Sequence, residues 1–146
     1  MNGKERVNLS KVIEKMNLVN LTPDIDVKGI WIHVPEFNRP ALQLTGFYDQ
    51  FDNDRIQIIG NVEYSYLKSL SETERFERYM QLLSSNIPCL IFCRNLEPEP
   101  EIIELAKKYQ IPILKSEEST SSFSAEVIRW LKVQLAPCIV IHGVLV

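Results

Sequence analysis

Six residues past the middle of the chain, Pro88-Cys89-Leu90-Ile91-Phe92-Cys93, constrain the fold more than any other segment. A strand with one wet face alternates apolar and polar side chains. This run is apolar at both parities, so it needs a cover above and below, as an inner strand of a helix-flanked sheet has. The next segments fit that demand. Pro98 and Pro100 open a helix whose stripe is Ile102, Leu105, Ala106 and Tyr109. Ile111-Pro112-Ile113-Leu114 reads as a short strand, and its proline predicts a sheet edge or a strand start. The polar run Ser116 to Ser122 then supplies caps for a last helix carrying Phe123, Val127, Trp130, Leu131 and Leu135. Strand, helix, strand, helix is the order of a parallel α/β sheet with right-handed crossovers.

The first half is consistent with this frame. Asn8 is an N-cap for a helix with Leu9, Val12, Ile13 and Met16 on one face. Ile30 to Val34 alternates as a strand does, and Pro35 and Pro40 bracket a loop. Ile56 to Ile59 is a second strand, closed by Gly60. Ser71-Glu72-Thr73-Glu74 is a capping box that opens a helix with Phe76, Tyr79, Met80 and Leu83 buried, ending near Asn86. The closing run Ile139 to Val146 forms a strand, and the sequence stops inside it, which predicts a boundary between domains.

A chain of 146 residues, 45% hydrophobic and 24% charged, is expected to be one globular domain. Its formal charge of −3, with basic residues scattered among acidic ones, argues against a nucleic-acid partner. No apolar run is long enough for a membrane helix, and Met1 to Ser10 is too polar for a secretory signal. Three cysteines make no disulfide framework, so a cytoplasmic location is expected and the sequons at Asn8 and Asn20 are read as chance matches.

Chemistry is sparse. None of the five glycines has the spacing of a phosphate loop or dinucleotide fingerprint, and there is no nucleophile elbow or zinc-protease histidine pair. Cys89 and Cys93 share one side of their strand with Ile91; a thiol nucleophile or metal site with His33 or His142 is conceivable, but small buried hydrophobes are the plainer reading. No metal ligand set is expected. Arg94 and Asn95 follow the central strand, where open α/β sheets bind ligands. Ser119, Thr120, Ser121 and Ser122 stand at a helix N-terminus, so with Arg94 they make a possible anion pocket, unless the serines only cap. The segment from Asn38 to Asp49 packs Asn38, Arg39, Gln43, Phe47 and Tyr48 closely together. It is either an interface or ligand loop or a buried turn, and the residues alone leave both open.

That segment also carries a resemblance. Asn38-Arg39-Pro40-Ala41-Leu42-Gln43-Leu44-Thr45-Gly46-Phe47-Tyr48, with Phe51-Asp52 and Arg55-Ile56-Gln57, closely resembles the N-terminal domain of bacterial HPr kinase/phosphorylase. The likeness runs on through Tyr66-Leu67, Ile87-Pro88-Cys89, Leu96-Glu97-Pro98, Ile111 to Leu114, Ser119-Thr120-Ser121, Leu135-Ala136-Pro137 and His142 to Val146. It departs where Ala41 stands for a glycine, and where Cys93 and Asn95 stand for a threonine and a glycine around Arg94. The resemblance implies that residues 1–146 form that single domain, an α/β three-layer sandwich with a mainly parallel sheet flanked by helices, resembling the UDP-binding N-terminal domain of Mur ligases. It implies a non-catalytic regulatory or assembly domain of a bifunctional protein-serine kinase/phosphorylase acting on HPr of the sugar phosphotransferase system, in carbon catabolite repression. The P-loop kinase domain, with its ATP and Mg²⁺, would lie C-terminal to this chain, which itself would hold no cofactor. Expected partners are that kinase domain in cis, HPr, and further copies in a hexameric parent, with no nucleic acid or membrane. The alternatives are a stand-alone sensor of a nucleotide or phosphorylated metabolite, and a thiol hydrolase built on Cys93.

Overall fold

The computed structural model describes residues 6–137 together with 140, 141, 144 and 145. The segment Phe37–Asn38 (β4) leads through a short helix Ala41–Leu44 (α2) to Ile56–Ile59 (β5). Helices Asn61–Ser69 (α3) and Glu72–Leu83 (α4) then carry the chain to Leu90–Phe92 (β6). Pro100–Tyr109 (α5) connects to Ile113–Lys115 (β7), and Thr120–Leu135 (α6) comes next. These four strands are parallel neighbours in the order β4-β5-β6-β7. Strands added one after another in one direction, with crossovers of one hand, put every connecting helix on the same face. The opposite face must be covered by something else, and α6 covers it together with Leu9–Lys15 (α1).

The two-residue period of the strands sorts the core. Ile56, Ile58, Cys89, Ile91, Cys93 and Leu114 point to the α1/α6 side, against Leu9, Val12, Phe123, Val127 and Leu131. Ile59, Leu90, Phe92 and Ile113 point the other way, against Leu44, Leu67, Tyr79, Leu82, Leu83, Ile102, Leu105 and Ala106. Leu90, Ile91 and Phe92 are all fully buried, as an inner strand requires. The α/β fold class and the three-layer arrangement expected from the sequence are what the structure has.

Local expectations fare unevenly. Asn8 does cap α1, its side chain accepting from the Ser10 amide at 3.0 Å. Trp31–Ile32 (β3) is a strand, but it leaves the main sheet to pair with Val7–Asn8 (β1). Ser71 accepts from the Glu74 amide at 3.2 Å, whereas the Glu74 carboxylate meets the Ser71 hydroxyl rather than its backbone, so the box is half formed. Phe76 is 40% exposed, because the buried stripe of α4 turns toward Tyr79, Leu82 and Leu83. Of the two positions expected for the Pro112 strand, the edge is wrong and the strand start is right. Val19–Asn20 (β2) pairs antiparallel outside β7, and Pro112 lies just before the strand, where its missing N–H costs no ladder bond. Val140–Ile141 (β8) and Val144–Leu145 (β9) form an antiparallel pair within the apolar run expected as one strand. No helix among the described residues is long and apolar enough to cross a membrane.

Candidate functional site at the carboxyl ends of the parallel strands

Register decides which loops meet. Because β4, β5, β6 and β7 run in one direction, Arg39, Gly60, Cys93-Arg94 and the Ser116 to Thr120 turn all leave the sheet at its carboxyl end. The chain is stitched across that end by backbone bonds, Cys93 donating to Ile59 at 3.0 Å and Ser116 donating to Phe92 at 2.8 Å.

Glu63 organises the centre of this edge. It is only 3% exposed, and its Oε1 accepts from the Gly60 amide at 2.7 Å and from Arg39 Nη2 at 2.8 Å. Gly60 is the N-cap of α3 and Glu63 its N3 residue, so the carboxylate satisfies the cap amide and faces the positive end of the helix dipole. Gly60 has φ −111°, which any residue adopts; glycine is needed for space instead. A Cβ there would stand 2.6 Å from Arg39 Nη2 and 2.6 Å from Thr120 Oγ1. Thr120 is itself 93% buried (7% exposed), and its hydroxyl makes no hydrogen bond of good geometry to any described residue. The Cys93 sulfur beside it is only a weak acceptor.

Cys93 is no nucleophile in this setting. Burial pushes its thiol up to about 11, and the Thr120 hydroxyl and the Arg39 and Arg94 charges only partly offset that. Cys89 is buried completely and pushed up to about 12. Both belong to the apolar core, as the plainer sequence reading had it. His33 is exposed, and His142 lies outside the described residues.

The sequence-derived anion pocket is only partly assembled. Arg94 and Asn95 both take left-handed backbone, φ 58° and 59°, which an asparagine tolerates better than most residues. Their amides are spent on the Glu118 and Ser116 carbonyls, each at 2.8 Å. The Arg94 side chain is exposed, Ser119 caps the Ser122 amide at 3.2 Å, and Ser121 and Ser122 face solvent. Of that set, Thr120 is the one that points into the sheet end, and it meets Arg39, a residue assigned from sequence to a different loop. Gly60 as a site residue and Glu63 altogether escape the sequence reading. A glycine, two residues and a glutamate at a strand-to-helix junction is the signal that could have found them.

The segment after β4 resolves into two parts. Asn38 donates to Gln57 at 2.8 Å and to Gln43 at 3.2 Å, Gln57 being fully buried and Gln43 6% exposed. This amide network is why a glutamine is tolerated inside β5, and it ties half-buried Asn38 at the end of β4 to buried Gln43 on α2. Tyr48 turns inward against the edge of Phe51 at 5.4 Å, and burial pushes its phenol up to about 12. Phe47 does the opposite and is 50% exposed. Leu42 on α2 (60%) and Val62 at the start of α3 (68%) are exposed as well. Between α2 and α3 runs a cleft of about 160 Å³ lined by Ala41, Leu44, Thr45, Val62, Glu63 and Tyr66.

Known proteins match along nearly the whole chain. The family described as HPr Serine kinase N terminus matches residues 7–131. A protein of Lachnoclostridium phytofermentans named HPr kinase/phosphorylase is 54% identical over 140 residues, which are 96% of this chain and 45% of that protein. One of the same name from Alkaliphilus metalliredigens is 41% identical over 139 residues, 95% of this chain and 45% of the relative. The chain thus spans a little under half the length of these relatives. Among solved structures, the CBS and DRTGG domains of the regulatory region of Clostridium perfringens pyrophosphatase, crystallised with diadenosine tetraphosphate, share the fold at TM-score 0.54. The identity there is 17%, with 83% of this chain and 46% of that one covered. On the family match and on the length and identity of these alignments, the chain belongs to the family of HPr serine kinase N-terminal domains.

Proposed function

We infer that this chain is the non-catalytic accessory domain of an HPr serine kinase/phosphorylase, serving assembly and partner contact while phosphoryl transfer takes place in a C-terminal domain. One observation carries the reading: among the described residues no reactive group at the sheet's carboxyl end is poised for chemistry, while an apolar cleft opens beside Glu63. Arg39 is paired to Glu63, the Arg94 and Asn95 amides are consumed by the neighbouring turn, and the Cys93 thiol is protonated and buried. Leu42, Phe47 and Val62 are meanwhile exposed, and Val62 lines an apolar cleft. Exposed apolar side chains beside an apolar cleft offer a surface to another protein. In this reading ATP and Mg²⁺ belong to the C-terminal domain, HPr and the kinase domain are the partners, further copies join in a hexamer, and the setting is cytoplasmic carbon catabolite control.

The test is an amide-shift titration of the chain with HPr and, separately, with the kinase domain. The accessory reading expects shifts grouped on α2, the turn after it and the start of α3 with at least one of the two. Silence with both would overturn it. A sensor of phosphorylated metabolites is the second reading. It is favoured by the convergence of Arg39 and Thr120 on one point, and an accessory domain can also be a sensor.

A further inference from the structure

We propose that the carboxyl end of the sheet holds a seat for a phosphoryl oxyanion, formed by Arg39, the Thr120 hydroxyl and the first-turn amides of α6 over Gly60. Such a seat goes beyond partner contact and does not depend on it.

Three features converge. The first is α6 itself, 16 residues long, whose opening amides have no carbonyl four residues back to receive them. Ser119 takes one, that of Ser122, and no protein acceptor meets those of Thr120 and Ser121 among the described residues. The second is the Thr120 hydroxyl, buried on a residue 7% exposed, with the weakly accepting Cys93 sulfur as its nearest partner. A buried hydroxyl without a strong partner leaves its desolvation uncompensated, so its retention in a polar setting points to a group that completes it. The third is the guanidinium of Arg39. Its Nη2 is bound to Glu63, but Nε and Nη1 make no hydrogen bond among the described residues, and the side chain is 38% exposed, open to a ligand from solvent.

Gly60 ties the three together. Arg39 Nη2 and Thr120 Oγ1 each lie 2.6 Å from the place its Cβ would take, so both polar tips close on the same point above the glycine. A planar guanidinium edge, a hydroxyl and helix-start amides form a donor set suited to a phosphate. The Glu63 carboxylate, 2.7 Å from the Gly60 amide and 2.8 Å from Arg39 Nη2, opposes an anion by its charge and leaves Arg39 Nε and Nη1 as the free donors. Exposed Glu117 and Glu118 stand on the approach to α6 and oppose an anion, while exposed Arg94 favours one. The chemistry fits inorganic phosphate and a phosphomonoester alike.

The experiment is an amide-shift titration with inorganic phosphate, and in a second arm glucose 6-phosphate, at matched ionic strength with chloride as control. Gly60, Thr120 and Ser121 are expected to move with a saturating curve. Thr120→Val keeps shape and branching and removes the hydroxyl. It is expected to weaken binding roughly tenfold, the loss of one hydrogen bond to a charged group, with the rest of the spectrum unchanged. Glu117→Gln/Glu118→Gln is expected to tighten it. Tighter binding in the sugar-phosphate arm identifies a monoester as the ligand, and tighter binding of phosphate identifies the free ion. Shifts that chloride reproduces, shifts that miss these amides, or unchanged affinity in Thr120→Val would each overturn the proposal. None of those outcomes bears on contact with HPr or the kinase domain, which is read with the protein partners alone.

Discussion

Replacing Gly60 by alanine tests the packing of the sheet's carboxyl end. The new methyl would stand 2.6 Å from both Arg39 Nη2 and Thr120 Oγ1, nearly an ångström inside ordinary contact. Neither neighbour yields freely. Arg39 is held by its 2.8 Å bond to Glu63, and Thr120 is buried on a short side chain with one rotatable bond. Backbone strain adds nothing, since φ is −111°. Overpacking of this kind costs about 1–3 kcal/mol. Alanine is also a poorer N-cap than glycine by up to about 1 kcal/mol, and reduced freedom of the unfolded chain returns about 0.4–1 kcal/mol. The net expectation is a loss of about 1–3 kcal/mol, read in urea unfolding as a lower midpoint at unchanged slope. A double-mutant cycle sharpens the test. In a Thr120→Ala background half of the clash is gone, so Gly60→Ala is expected to cost about 1 kcal/mol less, a coupling within the range seen for touching residues. A neutral Gly60→Ala, or one whose cost ignores residue 120, would refute the claim that Arg39 and Thr120 close on this glycine.

Arg39→Ala leaves the Glu63 carboxylate nearly buried with the Gly60 amide as its remaining partner. Stranding a buried charge costs about 3–5 kcal/mol, but Arg39 is 38% exposed and water can enter its place, so about 1–3 kcal/mol is expected in urea unfolding. Iodoacetamide at pH 8 is expected to label Cys89 and Cys93 only under unfolding conditions, as peptide mapping would read, because burial holds their thiols up at about 12 and about 11. Those same groups set a pH dependence. The unfolded chain releases the thiol protons near pH 8.5 and the native chain holds them, so their contribution is intact below about 8.5 and is lost as pH rises toward the folded values. Urea midpoints that rise between pH 9 and about 11 would contradict this sign.

Much of the fold was legible because its signals are local or periodic. The all-apolar run around Leu90 to Phe92 named its own two-sided burial, and the stripes Ile102-Leu105-Ala106 and Phe123-Val127-Leu131 named the helices beside it. The elements that escaped are short or held by distant partners. Val19–Asn20 is two residues long and gains its place only from Lys115 and Leu114, nearly a hundred residues away. The helix Asn61–Ser69 begins on a glycine, which offers no side-chain cap, and its Glu63 signal makes sense only once Arg39 is seen beside it. The site was half legible for the same reason. Arg39 and Thr120 each stand out, but nothing in their spacing says that β4, β5 and β7 end together over Gly60. That depends on register, which is a property of the assembled sheet.

The most direct test is to incubate the purified chain with HPr, ATP and Mg²⁺ and to weigh HPr by intact mass spectrometry. An accessory domain, whose strand end holds no activated nucleophile among the described residues, leaves HPr at its unmodified mass. Accumulation of singly phosphorylated HPr, proportional to the amount of chain and lost on Arg39→Ala, would contradict it and make this end of the sheet a catalytic centre.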